Sequence, residues 1–182
     1  MVLITGGSGY LGGRIAVHLE RLGYQVRVGK SVESDSKGFP IDFTDDHSIN
    51  SACDGVSSII HLAAMNAQSC DHNPEKALLI NGLGTLKLLK ASKKNRVSKF
   101  LYFSTAHIYG SPLKGEINEE LLPRPLHPYS ITHRVAEDYV MEEACQQGLS
   151  ATVFRLTNAI GSPITPQANC WMLVANDFCR QV

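Results

Sequence analysis

The residue types that could do chemistry begin with a run of glycines close to the N-terminus. Gly6, Gly9 and Gly12 follow a short apolar segment in the spacing GxxGxxG. Glycine lets a chain turn sharply, lets its backbone approach a ligand without an intervening Cβ, and lets a helix pack closely. Free N–H groups at the start of the next helix attract anions, so the pattern indicates a diphosphate-binding loop. An ordinary strand-to-helix turn is the alternative, since the commonest dinucleotide fingerprint is GxGxxG.

A second pair of reactive side chains is Tyr129 and His133. Their i, i+4 spacing places both on one face of a helix, one turn apart. A phenol has a pKa near 10 and is a poor base at neutral pH. Chemistry by Tyr129 therefore requires a nearby cation or hydrogen-bond donor that lowers its pKa.

Lys30 bears on the choice of nucleotide. In the dinucleotide fingerprint, an acidic residue about 20 positions beyond the glycines binds the adenosine ribose of NAD. This chain has Gly29-Lys30-Ser31 there. A lysine cannot accept from the ribose hydroxyls but attracts a 2′-phosphate, so Lys30 favours NADP over NAD. A solvated lysine at a strand end is the alternative, with Glu33 or Asp35 turning toward the ribose.

Alternating strands and helices must position these residues. Short apolar runs predict strands at 2–4, 24–28, 40–43, 56–62, 99–104 and 151–156. A helical pattern follows the glycines and ends at Gly23. Further patterns predict a short helix that ends near 52 and three helices at 74–94, 129–147 and 170–182. The apolar stripe of the first helix is Leu11, Ile15, Leu19 and Leu22, and that of the third is Leu78, Thr85, Leu86 and Leu89.

This alternation predicts an α/β fold with a Rossmann-type, doubly wound parallel sheet in a single domain, 1–182. Ligands of such sheets bind at the carboxyl ends of the strands. Residues 111–128 carry four prolines and break the pattern, which predicts a long ordered loop on the same side. His61 ends a buried strand, and a satisfied interior histidine is the favoured interpretation.

Composition narrows the class of protein. The 182 residues are 43% hydrophobic, and 17 basic residues balance 17 acidic ones, which is not the charge of a general nucleic-acid binder. We expect no membrane span and no signal peptide, and hence a cytoplasmic protein. The five cysteines include no CxxC pair, so reduced structural thiols are expected and no metal site is predicted.

Seven motifs in order resemble the extended short-chain dehydrogenase/reductase superfamily, in its branch of NAD-dependent epimerases and dehydratases that act on sugar nucleotides. The resemblance covers essentially the whole chain. The motifs are Thr5-Gly6-x-x-Gly9-x-x-Gly12, Asp42-Phe43, His61-Leu62-Ala63-Ala64, Asn81 with Gly84-Thr85, Ser104-Thr105 through Tyr109-Gly110, Pro128-Tyr129, and Arg155-x-x-Asn158-x-x-Gly161.

The resemblance implies a role for each matching residue. Tyr129 is the acid/base that exchanges a proton with a substrate hydroxyl during hydride transfer, and Thr105 hydrogen-bonds the same oxygen. Asn158 binds the phosphates of the nucleotide sugar, and His107 lies in the region facing substrate. The cofactor-binding residues implied are Gly6, Gly9, Tyr10, Leu11, Gly12, Lys30, Asp42, Phe43, Leu62, Ala63, Ala64, Asn81, Tyr129 and His133.

His133 departs from the pattern, because the family has lysine there. A neutral imidazole can bond the nicotinamide ribose but lowers the pKa of Tyr129 much less than a fixed charge. Arg134 points about 100° away around the helix and is not a replacement. Three interpretations follow: an active enzyme using His133, which the intact surrounding motif favours, a slower enzyme, or a silent relative.

The residues after Thr105 are a further departure. Sugar 4,6-dehydratases carry an Asp-Glu pair there, whereas this chain has Ala106-His107. Epimerisation or ketone reduction of a nucleotide sugar therefore fits better than dehydration. His107 is either an additional acid/base or a surface histidine.

The last departure is length. Relatives continue for about a hundred residues that build a substrate domain, so we expect that domain to be largely absent from this chain, as a fragment or as a short form. The rival to an enzyme is a dinucleotide-binding sensor or scaffold without turnover. Homodimerisation through the long helices is common in the superfamily, which makes a homodimer a candidate assembly for this chain.

Overall fold

The computed structural model describes residues 1–146, 148–168 and 170–181, and in them strands and helices alternate. The strands are β1 (Val2–Thr5), β2 (Val26–Ser31), β3 (Phe39–Ile41), β4 (Ser58–His61), β5 (Lys99–Thr105) and β6 (Ser150–Leu156). The helices are α1 (Tyr10–Arg21), α2 (Asp46–Cys53), α3 (Ala67–His72), α4 (Pro74–Ala77), α5 (Gly84–Lys94), α6 (Pro128–Cys145) and α7 (Val174–Gln181). A π-helical segment, Leu78–Leu83, joins α4 to α5, and a 3₁₀ helix, Ala106–Tyr109, follows β5.

All strand pairs of the six-stranded sheet are parallel, in the order β3-β2-β1-β4-β5-β6. The chain winds outward from β1 to β3 on one side and from β4 to β6 on the other. The order therefore reverses between β1 and β4, where doubly wound sheets open a crevice at their carboxyl ends. The predicted Rossmann-type, doubly wound parallel sheet is confirmed.

The core lies between the sheet and the helices that cover its faces. Leu3, Ile59 and Phe100 of three adjacent strands are fully buried, together with Leu88 of α5 and Val140 of α6. Burial on both faces explains why these strands are short continuous apolar runs rather than alternating ones.

β2 corrects one predicted boundary. It begins at Val26 instead of 24 and continues through Gly29, Lys30 and Ser31, because these residues pair with β3 in the register Lys30↔Pro40. Tyr24, predicted as the first strand residue, is exposed. Lys30 is consequently a strand residue with a fixed backbone.

The predicted helical stripes were wrong at two leucines. Leu22 lies just past the end of α1 and is 61% exposed. Leu78 is 49% exposed, and Leu88, which the prediction did not include, is fully buried, whereas Leu86 is half-buried. The π-helical segment explains the second error, because its wider turn shifts the face that a regular 3.6-residue period would bury. The short helix α3 was not predicted.

The remaining boundaries differ by a few residues. α6 begins at Pro128 and ends at Cys145, and α7 begins at Val174 rather than 170. Gln147 and Val182, where two predicted helices end, lie outside the described residues. Residues 110–127 contain no helix or strand, and the N–H of Arg124 donates to the Ile108 carbonyl at 2.7 Å.

The described part of the chain contains no helix with the length and apolarity that a membrane crossing needs. It also brings no three His, Cys, Asp or Glu side chains together as a metal site. Cys53, Cys70 and Cys170 are buried free thiols, while Cys145 and Cys179 are exposed free thiols.

Candidate active site

A cavity of about 720 Å³ opens at the carboxyl ends of β1, β2 and β4. This volume lies within the range of ordinary small-molecule sites. Eight of the predicted cofactor-binding residues line it: Gly6, Gly9, Lys30, Asp42, Phe43, Leu62, Ala63 and Ala64. The fold thus brings residues from three of the motifs, together with Lys30, to one place.

The glycine loop is packed against its neighbours as the spacing requires. Gly6 has φ +67°, and a Cβ there would lie 2.9 Å from the backbone nitrogen of Ala63. A Cβ on Gly12 would clash with the carbonyl oxygen of Gly6, so α1 packs this closely on the loop only because residue 12 is glycine. A Cβ on Gly9 would approach only the Gly6 carbonyl, at 3.2 Å, which leaves this turn open toward the cavity.

The side chains of Tyr10 and Leu11 do not line the cavity. The Tyr10 hydroxyl donates to the carbonyl oxygen of Gly161 at 2.8 Å. Both side chains pack in a cluster with Ala168 and Cys170 instead of lining the cavity. Their side chains hold the C-terminal segment against α1.

Asn81, a predicted cofactor-binding residue, makes its side-chain hydrogen bonds to other residues of the protein and does not line the cavity. It is buried, its Oδ1 accepts from the N–H of Met65 at 2.8 Å, and its Nδ2 donates to Thr132 Oγ1 at 3.0 Å. Met65 lines the cavity, and Thr132 lies in α6 between Tyr129 and His133. Asn81 therefore joins the cavity wall to the helix that carries the predicted acid/base.

His61 is the satisfied interior histidine that was expected. Its Nδ1 lies 2.6 Å from Thr5 Oγ1 and its Nε2 lies 2.9 Å from Thr85 Oγ1. Burial, with a smaller contribution from the charge of His133, lowers the pKa of His61 to about 3. The ring is neutral at physiological pH and ties β4 to β1 and α5.

Thr105, Tyr129 and His133 come together at the carboxyl end of β5. The rings of Tyr129 and His133 meet edge to face with centroids 4.5 Å apart. Burial raises the pKa of Tyr129, the neighbouring Cys70 raises it further, and the nearby Thr105 side chain lowers it in part. Tyr129 is therefore a protonated phenol at neutral pH in the cofactor-free protein.

His133 is 3% exposed, and burial lowers its pKa to about 4. It is a neutral imidazole at neutral pH and supplies no positive charge to Tyr129. Arg134 forms ion pairs with Asp138 and Glu137 and is, as expected, no substitute for the lysine.

The two predicted substrate residues are both exposed. His107 is exposed, with its ring centroid 5.8 Å from that of His127. His127 was not singled out from the sequence; its Nδ1 accepts from the N–H of Ser130 at 3.3 Å and its ring stacks on Tyr129. Asn158 is exposed on the segment after β6.

A buried ion pair was also missed. Glu137 accepts from Arg155 through both carboxylate oxygens at 2.9–3.2 Å, and the Arg155 guanidinium stacks over the ring of Tyr109. The pair fastens β6 and the 3₁₀ helix to α6. The sequence pattern that could have indicated this pair is the i, i+4 spacing of His133 and Glu137, which places Glu137 on the same face of the helix as His133.

The fold and this site define a Rossmann-type α/β protein with a glycine loop at the switch point of its sheet. The model of the NAD dependent epimerase/dehydratase family matches residues 2–174, and the chain belongs to this family.

Known relatives agree with this assignment. The chain is 33% identical over 165 residues to GDP-6-deoxy-D-talose 4-dehydrogenase of Aggregatibacter actinomycetemcomitans, covering 88% of this chain and 53% of the relative. Its fold matches UDP-glucose 4-epimerase of Thermus thermophilus in complex with NAD, with a TM-score of 0.83 and 27% identity over 93% of this chain and 58% of the other. It also matches RMD of Pseudomonas aeruginosa complexed with NADPH, with a TM-score of 0.75 and 28% identity over 90% of this chain and 55% of that one. The chain spans about half the length of the curated relatives it matches.

Proposed function

We propose that this chain binds NAD or NADP and supports epimerisation or reduction of a nucleotide sugar by hydride transfer. The family and the named activities of its relatives support the reaction class. The observation that carries the proposal is the meeting of Tyr129 with Thr105 and His133 at the carboxyl end of β5, on the side where the glycine loop opens.

The residues at the switch point fit a dinucleotide. The backbone of Gly6 and Gly9 would hold the diphosphate, since the turn at Gly9 is open toward the cavity. Asp42 and Phe43 would meet the adenine, and Ala63 the middle of the cofactor. When bound, the dinucleotide supplies the hydride acceptor or donor.

The proton is handled by Tyr129. Its protonated phenol would donate to a carbonyl oxygen in the direction of reduction, and its phenolate would accept from a hydroxyl in the direction of oxidation. Thr105 would hydrogen-bond the same substrate oxygen and stabilise the charge that develops on it. His133 would offer a neutral N–H to the nicotinamide ribose.

Selectivity rests on residues at the rim of the site. Lys30 would attract the 2′-phosphate of NADP, Asn158 the phosphates of the sugar nucleotide, and His107 the sugar itself. The Ala106-His107 pair, in place of an acidic pair, argues against 4,6-dehydration.

The second candidate is a dinucleotide-binding sensor or scaffold without turnover. The raised pKa of Tyr129 and the neutral His133 favour it, because neither activates the phenol as a base. A single-turnover measurement separates the candidates: the chain is mixed with NAD⁺ or NADP⁺ and UDP-glucose, and the absorbance of reduced nicotinamide is followed. Formation of reduced nicotinamide by the wild type, and not by Tyr129→Phe, supports the enzyme. Cofactor binding without reduction supports the sensor.

We also propose a homodimer formed through the long helices. Exposed apolar side chains lie on the mutually packed π-helical segment and α6: Leu79, Leu83, Ile131 and Tyr139. Sedimentation of the chain should give twice the monomer mass, and Leu83→Lys should return it to a monomer.

A further inference from the structure

The hydroxyl of Tyr102 lies 2.7 Å from Nδ1 of His133, and both side chains are buried. Tyr102 belongs to β5, three residues before Thr105, and carries none of the roles described above. Its ring lies between those of His61 and His133, at centroid distances of 5.5 and 5.9 Å. This contact fixes which nitrogen of His133 carries the proton.

Two arrangements of the shared hydrogen bond can be compared by the polar groups that each leaves without a partner. Among the residues that the structure describes, Nε2 of His133 has no hydrogen-bond partner and the Tyr102 hydroxyl has only His133. If Nδ1–H donates to Tyr102, both the tyrosine O–H and the Nε2 lone pair are left unpaired. If Tyr102 donates to Nδ1, only an Nε2–H is left unpaired.

The second arrangement is favoured, because it leaves fewer buried polar groups without a partner and each such group destabilises the folded protein. Burial also raises the pKa of Tyr102 well above its ordinary value, so its hydroxyl keeps the proton that it donates. Neutral His133 is then held with its proton on Nε2 and its lone pair engaged on Nδ1.

We propose that Tyr102 is a positioning residue that locks His133 as a neutral Nε2–H donor beside Tyr129. The lysine of the family supplies a charge at this position, whereas this chain supplies an oriented dipole, and because Nε2 is itself buried a ligand reaches it only if the surrounding side chains move aside. That the ligand is the nicotinamide ribose rests on the proposed function; the locked tautomer does not.

The test is ¹⁵N–¹H nuclear magnetic resonance of the histidine rings in the full 182-residue chain, without cofactor. The His133 resonances are assigned by their loss in His133→Gln. We expect a protonated Nε2 and an unprotonated, hydrogen-bonded Nδ1 in the wild type at pH 7. Tyr102→Phe should shift the Nδ1 resonance, whereas Tyr24→Phe, which removes an exposed hydroxyl, should leave it unchanged.

A proton on Nδ1 in the wild type overturns the proposal, as does an Nδ1 resonance that Tyr102→Phe leaves unmoved. If Tyr102→Phe does not fold, the wild-type spectrum alone decides between the two tautomers. Calorimetry of the same samples should show NAD(P)⁺ bound about three- to tenfold more weakly by Tyr102→Phe. Absence of cofactor binding by the wild type would contradict the proposed function and leave the tautomer measurement standing.

Discussion

Tyr129 and His133 meet edge to face on one side of α6, with their ring centroids 4.5 Å apart. The phenol is held beside an imidazole that carries no charge at neutral pH, because burial lowers the pKa of His133 to about 4. The protein therefore keeps the geometry of a paired acid/base without the cation that would make the phenol a better base.

Tyr129→Phe is the direct test of the acid/base. Loss of the hydroxyl should lower single-turnover hydride transfer with UDP-glucose by about 10²-fold or more, the usual contribution of a positioned acid/base. Cofactor affinity should change little, since the ring remains. Tyr24→Phe, which removes an exposed hydroxyl away from the site, is the control, and full activity of Tyr129→Phe would remove Tyr129 from its role.

Placing lysine at position 133 should convert the neutral site into a charged one. A cation within about 4–6 Å lowers the pKa of a phenol, so the rising limb of the pH–rate profile should move to lower pH by about one unit or more in His133→Lys. His133→Gln is the neutral control and should leave that limb where it is. Identical profiles for the lysine and glutamine variants would show that charge at this position does not reach Tyr129.

Lys30 should decide between the two cofactors. It lines the cavity from the last residues of β2, where the fingerprint has an acidic residue. Lys30→Glu should weaken NADP⁺ binding about tenfold or more, through repulsion of the 2′-phosphate, and leave NAD⁺ binding equal or stronger. Lys37→Glu, a charge change on the neighbouring loop, controls for net charge. Equal affinities for both cofactors before and after the Lys30 change would end this assignment.

Two buried histidines should make the fold sensitive to acid. His61 and His133 have pKa values lowered from 6.5 to about 3 and about 4. Below pH 6.5 the unfolded chain binds protons that the folded chain does not, so stability falls as the pH falls from 6.5 toward these values. One pKa unit is about 1.4 kcal/mol, so the free energy of unfolding should be about 2–3 kcal/mol lower at pH 5.5 than at pH 7.5.

Urea unfolding at the two pH values measures this difference. His133→Gln should remove about half of it, while a change at the exposed His47 should remove little. A difference that is the same in the wild type and in His133→Gln would mean that His133 is protonated in the folded protein.

Much of the fold could be predicted because a parallel sheet buried on both faces leaves an unusually clear pattern. The six apolar runs in the sequence correspond to six strands. In β4 the adjacent residues Ile59 and Ile60 are both apolar because helices cover both faces of the strand. The π-helical segment could not be predicted, since it depends on tertiary packing, and it leaves Leu78 exposed although the expected stripe included it. β2 extends through Lys30 because pairing with β3 overrides the local turn signal of Gly29.

The site was predictable where backbone geometry demands a residue type and less so where side chains act through one another. Gly6 and Gly12 follow from close backbone approach, which one sequence can reveal. Asn81 and Tyr102 act on residues distant in the sequence, and no local period connects them to Thr132 or His133.

Calorimetric binding of NADP⁺ and NAD⁺ to the 182-residue chain is the decisive test of a dinucleotide site at the glycine loop. The matched control is Gly9→Asp: Gly9 is the N-cap of α1 with an extended backbone, where aspartate favours the helix while its carboxylate repels a diphosphate. We expect micromolar binding by the wild type and loss of binding by a folded Gly9→Asp. Absence of binding by the folded wild type, or equal binding by both proteins, would contradict a dinucleotide site at this loop.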